Sequence, residues 1–343
     1  MSNRYLTSMV LVLLGVILLG AAVPGPAAAQ TRPPVNLKLY SMSVGGTAYV
    51  LSFALSEVIN RNHPWIRIES LEARGSVGNL VLLSQKPELR KDTLIFTHEI
   101  SNEDAREARR PFKNAYKGAR AIAALTHTNL VLVTLDKNIK TKADLAGKRL
   151  MSMRAGTSTA VLHQTLLKDI WGVADKVKLS HGDFGTIKDA LKDGLIDIGA
   201  QPINGSPSTL FMPIPTLTAL MATKDVYFFN TSADDIRALA KKTGQPVFPS
   251  VVPAKALGPK QPEAIHTYGH SLSWWADEQM DEEIVYEITK TIYEHIDDFQ
   301  KYAGAQGKLI DRATLPTINV SDDLFHKGAY KLYKEKGLAV GVK

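Results

Sequence analysis

The chain has 343 residues, 45 % of them hydrophobic and 22 % charged, and not one cysteine. This composition excludes a disordered or fibrous protein. The missing thiol excludes disulfides, thiolate metal sites, cysteine nucleophiles and lipid attachment at cysteine. Lys and Arg outnumber Asp and Glu by 41 to 34, a net charge of +7 spread without long like-charge runs, so a solvated surface is favoured over a nucleic-acid face.

Residues 1–29 read as a secretory signal. Arg4 is the only charge, an apolar run covers residues 9–19, and Pro24 and Pro26 precede Ala27, Ala28 and Ala29. The run is about eleven residues, shorter than the roughly twenty a spanning helix needs. The mature chain is expected to start near Gln30 or Thr31 and to lie outside the cytoplasmic membrane, in the periplasm of a Gram-negative cell.

Residues 36–40 alternate as a short strand and end in a glycine-containing turn. A helix follows, with Val50, Leu51, Ala54, Leu55, Val58 and Ile59 on one face. Residues 64–71 predict a second strand. The segment Ala73-Arg74-Gly75-Ser76-Val77-Gly78-Asn79 turns into a second helix with Leu80, Leu83 and Val81 inward. Residues 93–97 form an apolar strand of the kind a parallel sheet buries.

The polar stretch 101–118 reads as a surface loop or short helix. Residues 120–126 and 129–135 are extended. Residues 150–153 form a strand ending at Arg154-Ala155-Gly156-Thr157-Ser158-Thr159, before a helix running to about Ile170. A strand at 177–180, a helix at 184–193 and a strand at 195–200 follow, the last ending in a turn at Gln201-Pro202-Ile203-Asn204-Gly205. Beyond lie a helix at 233–242, a proline-punctuated stretch at 246–262, an extended run at 265–275 containing Trp274 and Trp275, a helix at 281–301 striped by Ile284, Ile288, Ile292, Ile296 and Phe299, and a final helix at 322–335.

Strand, polar turn, helix thus opens two series, from residues 36 and 149, joined by extended chain. Such a plan predicts two α/β lobes with a cleft beyond the strand ends. The turns at Thr47, Ser76 and Thr159 each precede a helix. Each therefore offers unpaired N–H groups and the positive end of a helix dipole, which hold carboxylate, sulfate or phosphate. Taken singly, these Ser and Thr residues also fit plain helix caps.

The turns Gly45-Gly46-Thr47-Ala48-Tyr49, Arg74-Gly75-Ser76-Val77-Gly78-Asn79-Leu80 and Gly156-Thr157-Ser158-Thr159 resemble those of the TAXI solute receptors, the extracytoplasmic proteins associated with TRAP transporters. The resemblance continues through residues 184–197, 283–290 and 326–337, in order along the mature chain. It implies a type II periplasmic-binding-protein fold, with residues 30–128 and 269–343 in one lobe and 129–268 in the other. It implies capture of a small organic acid or amino acid and its delivery to a TRAP membrane permease. A monomer without cofactor, metal or nucleic-acid partner is expected.

Carried onto this sequence, the family's ligand contacts fall on Thr47 and Tyr49, on Ser76 and Asn79, on Gly156, Thr157, Ser158 and Thr159, and on Gln201, Asn204 and Gly205. The chain departs from the family at Ala48 and Val50, at Arg74, at the strand end Phe96-Thr97-His98-Glu99 and at Arg154. Arg74, His98 and Arg154 facing the cleft would add positive donors and predict a ligand more negative than glutamate, such as a dicarboxylate.

Catalytic signals are weak. His98-Glu99 lacks the second histidine of a zinc-protease helix, no nucleophile elbow is present, and no base accompanies Ser158. Two alternatives remain: a receptor serving an ABC importer of the sulfonate, nitrate or thiamine-precursor type, and a sensor or enzyme on the same fold.

Overall fold

A computed structural model describes residues 32–42, 46–155, 157–206 and 208–341. The expected signal segment lies outside them, as do Gly45 and Gly156 of the first and third turns. The chain from Pro34 onward forms one unit.

In chain order the elements begin β1 (Val35–Tyr40), α1 (Thr47–Asn62), β2 (Ile66–Leu71), α2 (Gly75–Gln85), β3 (Thr93–Thr97), α3 (Glu99–Arg106) and β4 (Ala119–Thr134). They continue β5 (Arg149–Met153), α4 (Ser158–Thr165), β6 (Lys178–Gly182), α5 (Phe184–Lys192), β7 (Ile198–Asn204), β8 (Met212–Pro213), α6 (Pro215–Thr223), β9 (Tyr227–Phe229) and α7 (Ala233–Thr243). The last are β10 (Phe248–Val252), β11 (Ile265–Asp277), α8 (Glu282–Glu294), α9 (Phe299–Ala303) and α10 (Lys327–Glu335). No helix among the described residues is long and apolar enough to cross a membrane.

The strands join in the order β2-β1-β3-β11-β4-β7-β5-β6. β1 runs parallel to β2 and β3, and β5 runs parallel to β6 and β7. Between these parallel sets lies the long antiparallel pair β4–β11. Each of its strands feeds two cores. Residues 119–125 of β4 and Trp274, Trp275 and Ala276 of β11 pack into a first core with α1, α2 and α8, while residues 130–133, Ile265 and Tyr268 pack into a second core with α4 to α7.

The composition of the crossing strands explains the division. Between its apolar halves β4 carries Thr126-His127-Thr128-Asn129, and β11 carries Gly269-His270-Ser271 opposite it. Polar side chains cannot join either oil-like core, so the cores stop there. The β4–β11 register slips between Leu272 and Ser273 and again between Trp274 and Trp275. Such bulges bend a strand locally. The result is the expected type II plan, two α/β lobes joined by paired crossing strands.

The apolar stripe of α1 is buried as its spacing predicts, at Leu51, Ala54, Leu55, Val58 and Ile59. Other stretches differ from the sequence reading. The stretch read as a surface loop begins as α3, which buries Ile100, Ser101, Asn102, Asp104 and Ala105 between the lobes' elements. The long helix expected at 281–301 stops at His295 and restarts as α9, although its stripe stays buried. The strand expected at 195–200 sits three residues later, so Gln201 and Asn204 lie within β7 rather than on the turn after it.

Candidate functional site

A cavity of about 580 Å³ opens where the helix starts of both lobes meet the crossing strands. The first lobe contributes Thr47 at the start of α1, Gly75 and Ser76 at the start of α2, and His98 before α3. The second contributes Thr157, Ser158 and Thr159 at the start of α4, Phe184 at the start of α5 and Pro215 at the start of α6.

Three of these helices, α1, α2 and α6, begin without a side-chain cap. Gly46 precedes α1 and Arg74 precedes α2, neither supplies an acceptor, and neither first turn contains an acidic residue. Among the described residues no capping side-chain oxygen meets their first-turn N–H groups. Gly75 adopts φ +77°, which an L side chain resists, and this lets the chain turn sharply into α2 beside the cavity. Arg74 brings the site's cation and makes no ion pair among the described residues.

The remaining sequence candidates sort by geometry. Thr157 caps α4: its Oγ1 accepts from Ala160 N–H at 3.2 Å and donates to the Arg154 carbonyl at 2.8 Å. Ser158 lines the cavity, but its hydroxyl donates to Asp104 Oδ2 of α3 at 2.7 Å. Asn204 is held on both sides, accepting from Thr128 Oγ1 at 2.9 Å and donating to Thr47 Oγ1 at 3.0 Å, a hydrogen bond from one lobe to the other.

Several candidates lie off the cavity. Tyr49 follows Thr47 by two helical positions, roughly 200° round the axis, so it points away when Thr47 points in. The Asn79 amide nitrogen reaches the carbonyls of Tyr40, Ser41 and Phe96 at 2.9, 2.7 and 2.9 Å, tying α2 to β1 and β3. It is a fastening of the fold, and Asn79→Ala should lower stability by about 1–2 kcal/mol, read as a fall in thermal midpoint, because buried carbonyls lose their donor. Gln201 is fully buried, donating to the Phe184 carbonyl and accepting from Thr216, so it holds cavity-lining residues in place instead of lining the cavity itself. Gly205 sits at φ +128° against the Leu210 carbonyl, where any side chain collides, and its N–H donates to His127.

The expected set of positive donors is also reduced. Arg154 is 71 % exposed and pairs with Asp183 at 3.0 Å outside the cavity. His98 lines the cavity, but burial, with His270 beside it, holds its imidazole well below the ordinary range. Its Nδ1 accepts from Ser101 N–H at 3.3 Å, so the neutral ring carries its proton on Nε2. Of the three, Arg74 alone supplies a cation to the cavity.

Residues that the sequence reading passed over complete the lining. Thr128 and Leu130 come from β4, and His270 and Leu272 from β11, each pair two residues apart and so on one face of its strand. His270 stands 4.9 Å from His98 between ring centres, and burial lowers it to about 4. Among the described residues the Ser101 hydroxyl, buried at the cavity, has no hydrogen-bond partner, and neither has His270 Nδ1. Phe96, Met153, Ile214 and Pro202 add an apolar wall. Two-residue spacing on the crossing strands was the signal available for these positions. Among the described residues no group of three or more His, Cys, Asp or Glu side chains is placed to hold a metal ion.

The buried titratable groups predict a pH profile of stability. His98, His127, His163 and His270 are all lowered by burial, His163 and His270 to about 4, so the fold keeps them neutral where the unfolded chain protonates near 6.5. Stability is lost as pH falls through that window. Glu99 acts oppositely. Burial pushes its carboxyl up to about 8 against an ordinary 4.5, although Ser271 N–H donates to it at 2.7 Å. Its contribution is complete below pH 4.5 and is lost as pH rises toward 8. Thermal unfolding should therefore show maximal stability near pH 6.5, and Glu99→Gln should flatten the alkaline fall. A profile that keeps rising through pH 8 would contradict this.

A bilobal α/β protein with a polar-rimmed cavity fed by helix starts from both lobes is the architecture of a ligand-enclosing protein. The chain belongs to the NMT1-like family, whose description matches residues 41–337. Its structure is similar to that of the periplasmic aliphatic sulphonate binding protein SsuA from Escherichia coli, with 13 % identity, 89 % of each chain covered and a TM-score of 0.48. It is similar also to MatC from Rhodopseudomonas palustris with bound malate, at 15 % identity over 88 % of this chain and 97 % of that one, TM-score 0.48. A third is the probable amino-acid ABC transporter extracellular-binding protein ytmK from Bacillus subtilis, at 14 % identity over 79 % and 99 % of the chains, TM-score 0.47.

Proposed function

We propose that the chain is an extracytoplasmic solute receptor that encloses a small organic anion between its lobes and hands it to a membrane importer. The observation that carries this reading is the convergence of the uncapped starts of α1 and α2, with Arg74, on one cavity shared by both lobes. Uncapped N–H groups and a guanidinium hold a carboxylate or sulfonate through charge-assisted hydrogen bonds. Closure follows from differential contact: only the closed form touches the ligand from both sides, so ligand shifts the balance toward it. The bulged crossing strands are the place for the bend, and residues 30–128, 129–268 and 269–343 are the segments that move as lobes.

Membership of the NMT1-like family supports an ABC-type importer as the partner better than the TRAP permease that the turn motifs imply. The TRAP reading stands second on those motifs. Uptake into vesicles supplemented with the purified protein distinguishes them. Depletion of ATP abolishes uptake in the first case, and collapse of the ion gradient at constant ATP abolishes it in the second. Uptake that ignores the added protein would contradict the receptor reading.

A further inference from the structure

A second cavity, of about 430 Å³, lies against the first. Thr47, Asn204, Ile214 and Pro215 line both. The polar part of this partition is the Asn204 Nδ2 to Thr47 Oγ1 hydrogen bond, which joins the end of β7 to the first residue of α1. Beyond it the walls are mainly apolar, formed by Met212, Pro213, Ala219 and Ala222, with Thr218 and Gln306 at the edge. Among the described residues no Lys, Arg, Asp or Glu borders the second cavity, and Arg74 is the one charged residue bordering the first.

We propose that the second cavity is a tail subsite of the same binding site, so that the solute is an elongated amphipathic monoanion. Its head lies against Arg74 and the start of α2, and its apolar chain passes between Thr47 and Asn204 to rest on α6. This rests on the anion-receptor reading above and names the shape and charge of its ligand. One cation matches one negative charge; the neighbouring imidazoles of His98 and His270 are neutral donors or acceptors and give a second carboxylate no counter-charge. Opening the partition strands the buried Asn204 amide N–H, a cost that shifts an equilibrium by up to roughly 150-fold, whereas each methylene buried shifts it by roughly fourfold. About four methylenes in the second cavity therefore outweigh the bond they displace.

The test is calorimetric titration of the folded protein with straight-chain monocarboxylates from four to ten carbons, with dicarboxylates of equal length alongside. Ala219→Trp and Ala222→Trp, on the exposed face of α6, fill the subsite without touching the head site. The expected result is affinity that climbs by up to roughly fourfold per added methylene in the wild type. In the tryptophan variants the climb stops at intermediate length while the shortest acids bind unchanged, and dicarboxylates bind more weakly than monocarboxylates throughout. Short acids that bind with no gain from length, or a gain equally large in both variants, would overturn the tail subsite and leave the anion site standing. Binding of no acid at any length would overturn both.

Discussion

Arg74→Ala is expected to weaken binding of an organic anion by about tenfold to a hundredfold, the range that one charge-assisted hydrogen bond of roughly 1.5–3 kcal/mol provides. The residue stands at the start of α2, lines the cavity and makes no ion pair among the described residues, so its removal leaves no buried partner stranded. The fold should therefore tolerate the change, and the thermal midpoint of the unliganded protein should move little. Arg74→Lys should fall between the two, since it keeps the charge and loses the planar fork. Ser76→Ala combined with Thr159→Ala removes two lining hydroxyls that make no hydrogen bond among the described residues and should weaken binding at least tenfold. Calorimetry with the anion giving the largest thermal shift measures each step. An unchanged dissociation constant in Arg74→Ala would remove the guanidinium from the site.

Asp104→Ala is expected to destabilise the protein by about 3 kcal/mol, the loss of charge-assisted hydrogen bonds at a buried carboxylate. Asp104 is 5 % exposed and sits on α3, between the lobes. It accepts from Ser158 Oγ of α4 at 2.7 Å and from Gln245 Nε2 at 2.8 Å, with Arg109 at 3.5 Å. Removing it strands a buried hydroxyl and a buried amide whose carbonyl already lacks a partner. At this chain length the thermal midpoint should drop by roughly 4–5 °C. The variant also frees the Ser158 hydroxyl at the cavity, so affinity should fall less than stability. A midpoint within a degree of wild type would show that α3 is not fastened to α4 through this carboxylate.

These residues show where sequence reasoning reaches and where it stops. The stripe of α1 and the buried strand β3 were legible because their periods, 3.6 and continuous, have one physical meaning each. The turns at Thr47, Ser76 and Thr159 were legible as helix starts. Which of them are plain caps was not, because that depends on the preceding residue's side chain: Gly46 and Arg74 offer no oxygen, Thr157 does. Asn79 shares its turn motif with Ser76, yet the helix turns it inward onto three carbonyls. Arg154 and Arg74 read alike as cations at turns. Only tertiary structure sets Asp183 beside the first and leaves the second at the cavity. The strand β7 was placed too early because its apolar run at 195–200 outweighs the polar Gln201 and Asn204, whose hydrogen bonds are made by distant elements. The crossing strands were recognised as connections, but their cavity face needed the register of β4 on β11, where His270 lies opposite Thr128.

The most direct test of the central claim compares each acid with its own amide. Thermal unfolding of the purified protein is followed with carboxylates or sulfonates of varied body and with the matching uncharged amides, at fixed ionic strength. The account predicts that at least one acid raises the midpoint in proportion to the logarithm of its concentration while its amide does not. An amide that stabilises as well as its acid, or a best ligand that is cationic, would contradict it.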